Sequence, residues 1–171
     1  MTRPEILEGG CQCGKIRYQI NASPNILYTC HCSDCQKQSS SAFGMSLIVD
    51  APAVVFVSGE TNLKFWDTRG GDGTLKRCAF CPDCGTRLYH GSDDGGRISI
   101  KAGSLDDTSQ LQPIAHIWLR SAQPWIEIDP DKYHCFKQEP ENEDELARQW
   151  QQQSLNRRSV RLKIPNECPS S

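Results

Sequence analysis

The chain has 171 residues, ten of them cysteine, with 37% hydrophobic residues and a formal charge of −2 at pH 7. Such a balance gives no ground for nucleic acid or an anionic membrane surface as partner. No run approaches the ~18 apolar residues of a membrane span, and Met1-Thr2-Arg3-Pro4-Glu5 has no apolar signal-peptide core, so a cytoplasmic location is expected.

In chain order, Gly9-Gly10-Cys11-Gln12-Cys13-Gly14 reads as a glycine-rich turn carrying a C-x-C pair. Residues 15–20 alternate, with Ile16, Tyr18 and Ile20 on one face, which predicts a half-buried strand. A turn at 21–25 leads to a second strand over 26–29, which runs into Cys30-His31-Cys32-Ser33-Asp34-Cys35. The polar run 36–41 supports one helical turn and no more. Strands are expected at 43–49, 53–57 and 62–67, followed by a glycine loop at 69–73. Cys78-Ala79-Phe80-Cys81-Pro82-Asp83-Cys84-Gly85 precedes a strand at 86–90. After a glycine turn at 93–96, strands follow at 97–102, 113–119 and 125–128. Short strands punctuated by Gly and Pro predict an all-β domain over 1–138.

Beyond it, 139–171 forms a charged tail, acidic through Glu145 and basic at Arg148, Arg157, Arg158, Arg161 and Lys163. Asn142 with Glu145 three residues on has the form of a helix cap. Leu146, Trp150 and Leu155 give that helix a thin apolar stripe, so it is expected to be peripheral or partly disordered, with Trp150 docking it.

Cysteines outside a secretory context point to metal binding or catalysis. The C-x-x-C of Cys81 and Cys84 is a knuckle that supplies two zinc ligands, with Gly85 relieving its turn. Cys11 and Cys13 are its natural complement, giving a closed Cys₄ site whose metal supplements a modest apolar core. Cys30, Cys32 and Cys35 then form a second set, one thiol short of closure. A zinc with three protein ligands keeps a position for substrate, as catalytic zincs do. His31 lies between the cysteines but points away from their side, so it is not counted as a ligand. Spacing alone leaves other pairings open.

The order C-x-C, C-x-C-x-x-C and Phe80-Cys81-Pro82-Asp83-Cys84-Gly85-Thr86, with later His116-Ile117-Trp118 and Pro124-Trp125, resembles the glutathione-dependent formaldehyde-activating enzyme family, which also includes centromere protein V. The resemblance spans residues 8–136. It implies a β-tent fold with two zincs per chain, a structural one on Cys11, Cys13, Cys81 and Cys84 and a catalytic one on Cys30, Cys32 and Cys35. It implies a carbon–sulfur lyase resembling S-(hydroxymethyl)glutathione synthase, joining a thiol such as glutathione to formaldehyde or a related small carbonyl.

The chemistry of the residues is compatible. Three thiolates around Zn²⁺ leave a charge of −1, which suits an incoming thiolate better than acidification of water. Lys15, Arg17, Lys37, Arg77 and Arg87 lie near the cysteines in sequence and are candidate charge partners. Ser33 and Asp34 are expected to stabilise the turn. Cys78 is outside the family pattern. It could replace a structural ligand, close the three-cysteine site, or remain a buried free thiol. Cys135 and Cys168 are expected to be free. The alternative function is a non-catalytic zinc-stabilised binding module or a thiol carrier.

Overall fold

The structure is a computed structural model that describes residues 6–70, 73–92, 94–109 and 111–161, the last six by backbone only. The expectations for Cys168, Lys163 and the side chains of Arg157, Arg158 and Arg161 lie outside the described residues, as do parts of the glycine loops at 71–72 and 93.

The architecture is mainly β, with two sheets. The smaller is three-stranded, in the order β1 (Leu7–Gly10), β2 (Arg17–Ile20), β5 (Val54–Ser58), all antiparallel. The larger has eight strands in the order β11-β10-β3-β4-β9-β8-β7-β6. Its centre is β3 (Ile26–Cys30), β4 (Gly44–Asp50), β9 (Arg97–Lys101) and β8 (Arg87–Gly91), and β7 (Leu75–Phe80) and β6 (Lys64–Arg69) form one flank. On the other flank β10 (Ala115–Ile117) runs parallel to both β3 and β11 (His134–Cys135), a departure from the antiparallel pattern of the rest.

Cross-strand partners share a face, so the pairing register separates the two sides of the large sheet. Leu47, Ile100, Tyr89 and Ala79 stand opposite one another in successive strands. They face the main core with Tyr18 and Ile20 from the small sheet and Ile16 just before it. The opposite face carries the register row Ile48, Ser99, His90, Cys78 and Trp66, and beside it the row Tyr28, Ser46 and Lys101. A sheet with apolar residues on one side and this polar mixture on the other has its chemistry on the second side.

Several boundaries depart from expectation. β2 begins at Arg17, not at residue 15, because Ile16 closes the preceding cysteine loop, its carbonyl accepting from the Cys11 N–H and its own N–H donating to Cys11 Sγ. Gly9 and Gly10 end a strand, β1, where a turn was expected. β7 went unforeseen. No strand forms at 125–128, where Trp125 is 68% exposed. α1 spans Ser33–Ser39 and so begins inside the cysteine cluster, longer than the single turn expected after it.

α2 spans Glu143–Arg161. The Asn142 side chain accepts from the Glu145 N–H at 3.0 Å, an N-cap that satisfies one of the donors left free in the first turn. Leu146 and Ala147 are buried in a second core with Ile26, Ile48 and Ile114. Trp150 touches both cores and donates its indole N–H to the Gln112 carbonyl at 3.0 Å. Leu155 is exposed.

Candidate metal centres

Two groups of thiols converge. Within each, the sulfurs lie within 4.8 Å of one another.

The first joins Cys11 and Cys13 to Cys81 and Cys84. Its halves are matched hairpin-like loops. Gly14 N–H bonds to the Cys11 carbonyl, and Gly85 N–H bonds to the Cys81 carbonyl, both at 2.9 Å. Gly85 has φ 74°, a conformation that opposes any side chain. Gly10 is fixed differently, since a Cβ there would stand 2.3 Å from the Ile16 carbonyl oxygen. Sulfur separations of 3.4 Å (Cys11–Cys13) and 3.8 Å (Cys13–Cys81) compare with about 3.8 Å for the edge of a zinc–sulfur tetrahedron. The donor set therefore fits a closed four-thiolate metal. The Thr86 hydroxyl, 3.3 Å away, and neighbouring N–H groups pull the Cys84 thiol down to about 6.

The second group is Cys30 at the end of β3, Cys32 as N-cap of α1 and Cys35 in its first turn. The Cys35 N–H donates to Cys32 Sγ at 3.4 Å. Gln36 spans the loop, donating to the carbonyls of His31 and Ser121 at 2.8 Å each. Hydrogen bonds from Cys30 and Cys35 draw the Cys32 thiol down, while the same contacts push Cys30 up.

These thiols line a cavity of about 510 Å³ that extends past Ser46 to Cys78 and His90 and is rimmed by Arg69, Lys76 and Trp118. Trp118 adopts φ 60°, unusual for a bulky residue, with the Arg120 guanidinium 4.6 Å above its ring.

Cys78 is buried and lines this cavity, yet joins neither group of converging sulfurs. Its position on β7 sets it in the register row opposite His90. His31 also stays outside the thiol group. It is fully buried and pairs through Nε2 with His116 Nδ1 at 2.9 Å. Burial lowers both imidazoles, His116 to about 4.

The candidate cations divide. Lys15 pairs with Asp83 at 3.0 Å beside the four-thiol group, Arg17 with Asp106, and Arg77 with Asp67 at 3.1 Å. Lys37 is exposed on α1. Arg87 alone of the five turns to the cavity face, 5.9 Å over the Trp66 ring. Lys101 was missed by sequence reading. Burial lowers its ammonium, opposed by the field of Cys35, Cys78 and Cys30. The signal was available in 97–102, where placing Ile98 and Ile100 in the core sends Ser99 and Lys101 to the other face. Ser33 and Asp34 are exposed in the first turn of α1 and border the cavity. Cys135 is exposed and free.

Among the described residues no helix is long and apolar enough to cross a membrane. A family model described as glutathione-dependent formaldehyde-activating enzyme matches residues 6–121. No curated protein matches. Three chains of solved structures match. One, a crystal structure of a Rhodobacter sphaeroides protein determined as a structural-genomics target, is 18% identical, covers 64% of this chain and 98% of that chain, and has a TM-score of 0.49.

Proposed function

Since the chain belongs to the glutathione-dependent formaldehyde-activating enzyme family, we propose that it joins a thiol such as glutathione to formaldehyde or a related small carbonyl, as a carbon–sulfur lyase of the S-(hydroxymethyl)glutathione synthase type. In that reaction a sulfur–carbon bond forms, the carbonyl π bond breaks, and the thiol proton ends on the oxygen.

The observation that carries this reading is the contrast between the two thiol groups. One has four sulfurs and is complete, while the other has three and opens on a cavity. In our reading Cys11, Cys13, Cys81 and Cys84 hold a structural zinc, and Cys30, Cys32 and Cys35 hold the working one. Zinc on three thiolates supplies a soft centre able to take an external thiolate. The protein's own residues orient the partners. The Gln36 bridge fixes the loop of Cys30 to Cys35, and Trp118 with Arg120 flanks the entrance. Effective concentration is then the main source of rate.

Exchange between formaldehyde and S-hydroxymethylglutathione, followed by two-dimensional exchange NMR, tests this reading. The zinc-loaded protein should accelerate exchange above the spontaneous rate, and Cys32→Ser should not. An unchanged rate at full zinc content refutes the named reaction and favours a thiol carrier or a binding module.

A further inference from the structure

Buried polar atoms that find no partner are uncommon in folded proteins, and each calls for an explanation. Here they cluster. Arg87 Nε and Nη2, His90 Nδ1, Ser99 Oγ and Lys101 Nζ are all sealed from solvent without a hydrogen-bond partner. The pairing register puts Ser99 and His90 opposite each other on the cavity face of the large sheet, with Lys101 two residues from Ser99 on the same side. Arg87 joins them because the strand irregularity between Ala79 and Phe80 pairs it with Phe80, and its guanidinium lies over Trp66 in the same row. Among the described residues no carboxylate forms an ion pair with Arg87 or Lys101. Two sheltered cations with adjacent donors and no counter-ion are costly unless an anion completes them.

The three-thiol group contributes negative charge near Lys101, but a sulfur cluster leaves the Arg87, His90 and Ser99 donors unused. Cys78, the remaining group in the row, offers one weak sulfur acceptor. What the row lacks is a compact acceptor with two oxygens, and His90, which lines the cavity that holds Cys30, is where that cavity meets the row. We propose that Arg87, His90, Ser99 and Lys101 form a subsite beside the three-cysteine centre that recognises a carboxylate of one of the two reactants. This rests on the reading of that centre as a thiol-binding site. The carboxylate arrives either on the thiol or on the carbonyl compound.

The test uses full-length protein with cobalt in place of zinc, where a thiol binding to the metal is read from its sulfur charge-transfer band. Wild-type protein is titrated with 3-mercaptopropionate, with the neutral 2-mercaptoethanol, and with 2-mercaptoethanol in the presence of glyoxylate. Charge-assisted hydrogen bonds predict about a tenfold or greater preference. If the acid is the thiol, 3-mercaptopropionate binds that much tighter. If it is the carbonyl compound, glyoxylate tightens the binding of 2-mercaptoethanol instead. Lys101→Met and Arg87→Met, at unchanged metal content, should each remove most of the preference. Equal binding of both thiols with no effect of glyoxylate overturns the subsite and leaves the thiol-binding reading standing. A preference that survives in both variants also overturns it. If no thiol perturbs either metal, the underlying reading falls with it. The wild-type comparison decides the matter even where a variant does not fold.

Discussion

At the scale of single residues, the two thiol groups should respond differently to the same change. Cys81 is fully buried and ties the knuckle to the N-terminal loop. Metal binding there is folding free energy, because the unfolded chain has no such site. Cys32 is half-exposed at a cavity wall. Cys32→Ser is therefore predicted to leave about one zinc per chain instead of about two, with a small change in melting temperature. Cys81→Ser should lose the other zinc and a large part of the cooperative transition. Metal analysis beside calorimetry checks both, and a Cys32→Ser protein that still holds its full zinc contradicts the assignment. Tyr18 gives a second prediction. Burial pushes its phenol up to about 12 from 10.0, against a 2.7 Å hydrogen bond with the Ser104 hydroxyl. A raised folded-state value means that the unfolded chain loses its proton first. The contribution is complete below pH 10 and fades as pH rises toward 12, by about 2 to 3 kcal/mol in all. Urea midpoints measured from pH 9 to pH 12 should fall more steeply for wild type than for Tyr18→Phe. The seven clustered cysteines were legible in the sequence because metal spacing is a local property. Cys78 was not, since its neighbours depend on which strand lies beside β7. His31 shows the same limit, as its partner His116 is 85 positions away.

At the scale of elements, alternation identified the strands that have one apolar face, such as β2 and β9. It failed where the pattern and the environment disagree. In β7 the cysteine motif hid a strand whose Cys78 and Ala79 are both buried, on opposite faces. Residues 125–128 are apolar at three of four positions but join no strand and leave Trp125 in solvent. β11 has only two residues, and its position comes from parallel pairing to β10, which no local signal announces. α2 illustrates how few contacts decide whether a helix docks. Its docked apolar residues are Leu146, Ala147 and Trp150, and apart from the exposed Leu155 the rest of its described side chains are polar. Trp150→Ala removes a half-buried indole and its bond to Gln112, at a cost of about 2 kcal/mol. Hydrogen exchange should then show early loss of protection in 143–155 with β3 and β4 still protected. Protection of α2 equal to wild type would mean that Leu146 and Ala147 hold the helix unaided.

At the scale of the whole molecule, the four-thiol group joins the N-terminal loop before β2 to the loop between β7 and β8, and so ties the small sheet to the large one. The apolar core and the metal are complementary here, since Cys11 and Cys81 belong to the main core cluster themselves. On the reverse side of the large sheet, the three-thiol group opens on a cavity that reaches His90, and the buried Arg87 and Lys101 nitrogens belong to the same face. Sequence reading anticipated the first arrangement and half of the second. The cations were hidden because a strand's polar face looks the same whether it meets water or is sheltered from it. The central claim is that one metal centre is closed and the other has room for an external thiol. Zinc X-ray absorption on the fully loaded protein, with and without glutathione, measures this most directly. The account predicts a mean of about 3.5 sulfurs per zinc, four at one centre and three at the other, rising to about 4 when glutathione is added. A value of about 4 in the absence of glutathione, unchanged by its addition, would contradict it.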